Sequence, residues 1–278
     1  MNNGDCVKFL QWCLPKLSYR WKGFRKVRNQ VCKRVKHRIK ELNLSSFQLY
    51  RTYLDSNANE WEILDSMCTI TISRFYRDRG VMESLYTDIL PQLAERAIER
   101  KEKAILCWSA GCCSGEEPYT LKILWDFRVL PKLASKMPFR IIATEKRGSL
   151  LERAERGIYQ KSSFRELPED LIPQVFDKMD EDYKLKDCFK LGVEFVKQNI
   201  RQRLPEGEFD LVLCRNLIFT YFQEELQTYI LEKIIGKLNP YGFLVIGAHE
   251  VLPQGDRGLF SYKESDSIYQ KGLSHSQL

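Results

Sequence analysis

The sequence predicts an α/β fold, an open sheet of buried strands preceded by a small all-helical domain. Two observations carry that expectation. Five apolar runs of strand length, Ala104–Trp108, Phe139–Thr144, Gly192–Lys197, Phe209–Cys214 and Phe243–Gly247, alternate with stretches of helical pattern, as strands covered by helices do. The first run then breaks into Ser109-Ala110-Gly111-Cys112-Cys113-Ser114-Gly115 and resumes as Glu116-Glu117-Pro118-Tyr119. Carboxylates and a proline in a first turn mark a helix start. Strand, small-residue turn, helix is the opening unit of a nucleotide-binding α/β domain.

In chain order, residues 1–24 read as an N-terminal arm, with Phe9, Leu10 and Trp12 available to pack on the first helical domain. From Lys22 to Lys40 the chain carries nine Lys or Arg and no acid, while Val27, Val31, Val35 and Ile39 recur every four residues with Leu42 three later. That spacing makes one apolar helix face with basic flanks. The flanks are either a solvated surface or a docking face for an acidic partner. Ser45-Ser46 caps a second helix, Phe47–Leu54, and Glu60–Cys68 forms a third, so residues 25–80 read as a helical domain. Residues 81–103 read as a helical linker and 104–278 as the α/β domain.

Within that last domain a helix runs from the small-residue loop to about Val129, and Gly148–Arg156 is another. Gly157-Ile158-Tyr159 interrupts the pattern, Ser163–Lys178 reads as a polar helical stretch, and strand-like pieces lie between Tyr183 and Phe195. The interval is too long for an ordinary connection, so about 157–192 is expected to be an inserted subdomain. Gln223–Leu238 is helical, Asn239–Gly242 turns, and the alternating aromatics of Leu259–Gln270 suggest hairpin strands at the sheet edge.

The 278 residues are 44% hydrophobic and 29% charged, with a net charge of +7, an ordinary globular balance. No apolar run approaches the roughly 20 residues of a membrane span, and no clean signal-peptide layout opens the chain. Nine cysteines include no C-x-x-C pair. Several sit inside strand patterns, so reduced thiols in a cytoplasmic protein are expected, with no metal site.

The loop also says something about its ligand. Glycine such as Gly111 lets backbone approach a bound group closely, but Glu116 and Glu117 stand where a phosphate would need neutral or positive neighbours. A cationic ligand with a ribose suits them better, and S-adenosyl-L-methionine is one. Glu145 ends the second strand, where a carboxylate can accept from both ribose hydroxyls; the alternative is an ordinary acid at a helix start. A tight turn without a ligand remains the competing reading of the loop itself.

Five blocks in order, SRFYRD, WSAGCCSGEEPYTL, RAERGIY, FDLVLCRN and LNPYGFLVIGAHE, resemble the CheR-type chemoreceptor glutamate methyltransferases, over about Arg25 to Gln270. The resemblance implies a Rossmann-like methyltransferase sheet with a helical N-terminal domain and a small inserted β subdomain. It also implies S-adenosyl-L-methionine as cofactor, with S-adenosyl-L-homocysteine as product. By motif, Ser73 and Arg77 match residues at the methionine end, Arg77 fitting a carboxylate by a bidentate pair. Glu116 matches the acid near the ligand amino group, and Glu145 stands in place of the family's ribose-binding Asp. Asn199 and Ile200, and Asn216 and Leu217, match residues flanking the adenine. Thr71 replaces the usual Asn two residues before Ser73, and the segment Leu217–Phe222 is one residue longer than usual. Arg77 and Tyr221 are the candidate residues shaping the reaction site, Tyr221 being equally readable as a core aromatic. The implied reaction is methylation of glutamate carboxylates on an acidic helical partner, chemoreceptor-like, steered by Lys22–Lys40 to a monomeric enzyme. Two other functions fit the residues: methylation of nucleic acid or a small molecule, which the lack of interleaved stacking aromatics disfavours, and a non-catalytic regulatory protein that binds the same cofactor.

Overall fold

A computed structural model describes residues 3–255 and 257–273. They divide into two compact units. The helical unit is residues 1–71 together with Thr220–Gln227, and the α/β unit is Ile72–Phe219 together with the chain from Thr228 onward. The helical unit thus begins with the arm and ends at Thr71, so Ile72–Gly80, read from sequence as helical domain, lies in the α/β unit.

In the helical unit the arm forms α1 (Asn3–Lys16), followed by α2 (Trp21–Phe24), α3 (Arg28–Glu41), α4 (Phe47–Ser56) and α5 (Ala58–Cys68). The four-residue apolar spacing of the basic stretch appears as the buried face Val31, Val35 and Ile39 of α3, joined by Cys32. Ser46 caps α4, its Oγ accepting from the Leu49 N–H at 3.2 Å. Phe9 packs its ring 5.4 Å from Phe47 and 5.6 Å from Tyr50, which ties α1 to α4. The buried carboxylate of Glu60 accepts from Arg38 Nε and Nη2, at 3.0 and 2.8 Å, and from the Tyr50 hydroxyl at 2.7 Å, so its charge is matched where it is buried. One expectation is overturned here. Cys6 and Cys32 form a disulfide between α1 and α3, their Cα atoms 6.0 Å apart, whereas the absence of C-x-x-C spacing had suggested only reduced thiols. Helix packing, not sequence proximity, brings them within bonding range.

The α/β unit starts with α6 (Arg79–Ser84) and α7 (Leu90–Glu99), joined by a π turn at Leu85–Ile89. Then come β1 (Ile105–Ala110), α8 (Glu116–Leu124), β2 (Phe139–Glu145) and α9 (Gly148–Arg156), which ends at Gly157 with φ +69°. A three-stranded antiparallel sheet comes next, from β3 (Ile158–Gln160), β4 (Phe176–Met179) and β5 (Asp182–Leu185), with α10 (Ile172–Val175) between. The polar helix expected over Ser163–Lys178 is therefore absent. That stretch is short 3-10 turns, α10 and β4, because Phe164, Leu167, Leu171, Val175 and Phe176 are all drawn into the core. The chain continues through β6 (Val193–Lys197), β7 (Phe209–Cys214), α11 (Ile218–Tyr221), α12 (Glu224–Lys237), β8 (Leu238–Ile246), β9 (Leu259–Ser261) and β10 (Ile268–Lys271). Asn239–Gly242, expected as a turn, lies inside β8, beside a register shift between Phe209 and Leu211 of β7.

The main sheet has the order β6-β2-β1-β7-β8-β10-β9. Neighbours from β6 to β8 are parallel, and β10 and β9 add an antiparallel edge. Strand order reverses between β1 and β7. In open α/β sheets a ligand crevice opens there, outside the carboxyl ends of the strands. Among the described residues no helix is long and apolar enough to cross a membrane.

Candidate functional site

Parallel strands fix where the site forms, because their carboxyl ends place consecutive loops side by side. The β1–α8 loop carries positive φ at Gly111 (+73°), Cys113 (+50°) and Gly115 (+89°). The Gly111 and Cys112 N–H groups both donate to the Thr144 carbonyl of β2, at 2.8 and 3.0 Å, which draws the loop back over the sheet edge. A Cβ on Gly111 would stand 2.6 Å from Leu217 Cδ2, so glycine is what allows Leu217 to lie against this turn.

The two acids that open α8 go to different partners. Glu116 is 2% exposed, and both its oxygens accept from Ser114 Oγ, at 3.0 and 2.9 Å. Glu117 instead joins the strand ends. It accepts from Ser109 Oγ of β1 at 2.7 Å and from Arg215 Nη1 just after β7 at 2.9 Å. Arg215 also donates from Nη2 to Asp78 Oδ2 at 2.8 Å and to the Arg77 carbonyl at 2.7 Å. Its side chain is 2% exposed, and its Nε has no hydrogen-bond partner. Sequence reading gave no role to Asp78 or Arg215, and took Glu117 only as one of two adjacent acids that suit a cationic ligand. Arg215 sits inside the FDLVLCRN block, but nothing in the spacing pairs it with residues 98 and 137 positions earlier.

Arg77 donates to the Ile72 carbonyl at 2.8 Å and to Asn216 Oδ1 at 3.1 Å. Asn216 adopts φ +55°, a conformation that asparagine tolerates better than most residues. The Glu250 carboxylate pins it in place, accepting the Asn216 N–H at 2.8 Å and the Gly247 N–H at 2.7 Å through one oxygen. Glu250 is a second group that sequence reading missed, a buried acid in the loop after β8.

At the end of β2, Glu145 accepts the Arg147 N–H at 3.0 Å on one oxygen and the Cys113 N–H at 3.3 Å on the other. Burial raises its pKa above the ordinary carboxyl value, and these two N–H bonds offset only part of that. The Lys146 N–H contributes as well, and a carboxylate with about four lone-pair sites keeps acceptor capacity beyond these bonds. Asn199 and Ile200 come after β6, half-buried, with Asn199 Oδ1 accepting the Arg201 N–H at 3.2 Å. The loop cysteines Cys112 and Cys113 are shifted up by burial, so they are neutral thiols at physiological pH.

Of the residues singled out from sequence, Arg77 and Asn216 are joined directly, Gly111 meets Leu217, and Glu145 is bonded to the Gly111–Gly115 loop. Ser73 lies on the irregular segment that leads to Arg77, and Asn199 and Ile200 stand one strand over, past the Gln198 N–H that donates to the Glu145 carbonyl at 2.9 Å. Glu116 is present in the loop but is turned onto Ser114. Thr71 and Tyr221 belong to the helical unit.

The group at the sheet edge is acidic, amide-rich and opened by glycine. Carboxylates suit ammonium and sulfonium charge, the Glu145 pair suits vicinal hydroxyls, and asparagine beside apolar Leu217 and Ile200 suits a purine edge and face. The family model described as "CheR methyltransferase, SAM binding domain" matches residues 71–268. "Chemotaxis protein methyltransferase 2" of Vibrio cholerae is 30% identical over 226 residues, covering 79% of this chain and 76% of its own. The "Chemotaxis protein methyltransferase" of Borreliella burgdorferi is 28% identical, covering 81% of each chain. "Chemotaxis protein methyltransferase 1" of Pseudomonas aeruginosa is 33% identical over 194 residues, covering 68% of this chain and 69% of its own. Among solved structures, the N-methyltransferase NodS of Bradyrhizobium japonicum overlaps 70% of this chain and 99% of its own, at 11% identity and a TM-score of 0.37, too distant to bear on function.

Proposed function

The chain belongs to the CheR methyltransferase family, and we propose that it transfers the methyl group of S-adenosyl-L-methionine to glutamate side chains of a chemoreceptor. The observation that carries this reading is the joined edge of the sheet: Arg77 bonded to Asn216, Arg215 bonded to Glu117 and Asp78, and Glu145 on the glycine loop. Those groups come from the ends of β1, β2 and β7 and from the segment before α6, and they match the needs of one elongated cationic ligand.

When bound, S-adenosyl-L-methionine supplies a methyl group on a positively charged sulfur, ready for displacement. The chain's own residues then bind and orient. Glu145, at the end of β2, accepts from the ribose hydroxyls. Asn199 and Asn216 read the adenine edge, with Ile200 and Leu217 covering its faces. Arg77, with Ser73 and Thr71 from the same stretch of chain, meets the methionine end. Of the two α8 acids, Glu116 meets the ammonium: one Ser114 hydroxyl takes only part of its acceptor capacity, whereas both Glu117 oxygens are bonded, to Ser109 and to the buried Arg215 cation. Tyr221, five residues after Asn216, shapes the acceptor opening.

A glutamate acceptor needs no general base, since a carboxylate with a pKa of about 4.3 is ionised at neutral pH. The rate then comes from holding its oxygen in line with the methyl carbon and from excluding water. Lys22, Arg25, Lys26, Arg28, Lys33 and Lys40 are exposed along α2 and α3. Arg34 and Arg38 are spent inside the unit, on the Met67 and Thr69 carbonyls and on Glu60. The six exposed ones, with half-buried Lys36 beside them, steer an acidic helical substrate, an attraction that weakens with salt.

The test is incubation with methyl-radiolabelled S-adenosyl-L-methionine and washed membranes containing an over-produced chemoreceptor. Protein-bound label that alkali releases as volatile methanol supports a glutamyl ester. Label that resists alkali, or that enters nucleic acid, overturns it.

A further inference from the structure

Within the α/β unit, Arg77 stands on a strained turn. Its two neighbours, Tyr76 and Asp78, both have φ +60°, a left-handed conformation that asparagine and aspartate visit and that is an outlier for a bulky side chain such as Tyr76. Strain of this kind persists only where the surroundings over-determine the backbone, and it gathers at functional sites. Three ties hold the turn from the side of α8 and the inserted subdomain. The Phe75 N–H donates to the Ser163 carbonyl at 2.9 Å, the Tyr76 N–H to Thr120 Oγ1 at 3.0 Å, and the Asp78 N–H to the Glu166 carboxylate at 3.1 Å. The fourth tie comes from the end of β7. Arg215 Nη2 donates to the Arg77 carbonyl at 2.7 Å and to Asp78 Oδ2 at 2.8 Å, while its Nη1 is anchored on Glu117 at 2.9 Å. The Arg215 side chain is 2% exposed, so its fork is enclosed by these partners. With its main chain fixed in this way, Arg77 gives two of its five N–H groups to Asn216 Oδ1 and the Ile72 carbonyl. Its charge reaches the glycine loop: burial pushes the Cys113 thiol up, and Arg77 pulls it the other way.

We infer that Arg215 is a positioning residue for cofactor recognition: by holding the strained turn from Arg77 to Asp78, it aims the Arg77 guanidinium at the carboxylate of the methionine end. The inference rests on the reading of Arg77 as the partner of that carboxylate. A guanidinium whose main chain is set before the ligand arrives loses less freedom on binding, and the planar fork of arginine rewards correct aim more than a point charge does. Without Arg215 the turn relaxes toward ordinary φ and the aim is lost. The adenosine end is anchored elsewhere: Glu145 on the glycine loop, Asn199 on the Arg201 N–H, and Asn216 on Glu250. The loss is therefore confined to ligands that carry the carboxylate.

The experiment titrates the full-length wild type, Arg77→Met, Arg215→Met and Asp78→Asn calorimetrically with two probes. One is S-adenosyl-L-homocysteine; the other is its decarboxylated analogue, which keeps the adenosine, the sulfur and the amine and lacks only the carboxylate. Wild type is expected to prefer the first by about tenfold or more, the worth of a charge-assisted pair. Arg77→Met abolishes that preference. Arg215→Met cuts it about fivefold while the analogue's Kd stays within about twofold. Asp78→Asn keeps the left-handed turn, trades an ionic partner of Arg215 for a neutral one, and cuts the preference about threefold. Should Arg215→Met fail to fold, Asp78→Asn decides by the same criteria. A preference that survives Arg215→Met but not Arg77→Met overturns the positioning role and leaves the reading of Arg77 standing. Equal losses for both probes in Arg215→Met overturn the role as well, since the effect is then general loosening. A wild type without the preference, or a preference that survives Arg77→Met, overturns the reading of Arg77 and this role with it.

Discussion

Replacing Arg215 by methionine tests the network at the sheet edge most directly. The change keeps the apolar stem and removes bonds to Glu117, to Asp78 and to the Arg77 carbonyl. Removing one member of a fully buried ion pair costs about 3–5 kcal/mol. The carboxylates stranded here keep 17% and 28% of their side-chain surface, so water recovers part of that. A second offset comes from Arg215 Nε, buried without a partner, whose lost desolvation returns about 1 kcal/mol. The net expectation is a loss of about 2 kcal/mol, or about 4–8 °C in the melting temperature of a unit this size. Urea denaturation and thermal melts at neutral pH measure it. Glu117→Gln, which keeps a bonded neighbour for Ser109, is expected to cost about 1 kcal/mol. The double variant should cost less than the sum, because one stranded anion is gone. A loss below about 0.5 kcal/mol with additive double-variant values would refute the view that Arg215 is the tie between β1, β7 and the segment before α6.

Three further outcomes rest on the same geometry. Glu145→Ala should weaken S-adenosyl-L-methionine binding at least tenfold, about 1.4 kcal/mol, measured by calorimetry; unchanged affinity removes Glu145 from the site. Glu60 is pushed upward by burial, yet the bonds from Arg38 and Tyr50 outweigh that and hold it below the ordinary value of 4.5. Its stabilising contribution is therefore present above pH 4.5 and lost as pH falls through the lowered folded value, so circular dichroism of acid unfolding should show a steeper loss in wild type than in Glu60→Gln. Cys32→Ser should lower stability under oxidising conditions by about 3 kcal/mol, from the 26-residue separation that the disulfide closes, and the difference should vanish with excess dithiothreitol.

How much of this molecule is legible in its sequence depends on the range of each interaction. The parallel strands were readable because they are buried on both faces and appear as continuous apolar runs, FDLVLC and FRIIAT among them. The glycine loop was readable because strand, turn and helix start are adjacent in the chain. Ser163–Lys178 misled because Phe164, Leu167, Leu171 and Val175 repeat at helical spacing, while tertiary packing needed Phe176 on a strand beside β5. Glu116 and Glu117 are neighbours of identical chemistry, and only the fold separates the one on Ser114 from the one on Arg215. The Cys6–Cys32 bond, the Arg215 ties and the pairing of Tyr19 with Phe222 have no sequence signature, since each depends on two distant stretches meeting.

Residues 220–227 complete a unit whose other members end at Thr71, and this has a bearing on biosynthesis. On the ribosome the first helices emerge early, yet Tyr19, Arg20 and Phe24 wait for partners some 200 positions downstream. At about 5–20 residues per second, that delay is about 7–30 s after Thr71 is added. A nascent chain halted before Thr220 would present an unfinished aromatic seam, Tyr19 and Phe24 without Tyr221 and Phe222, to its surroundings.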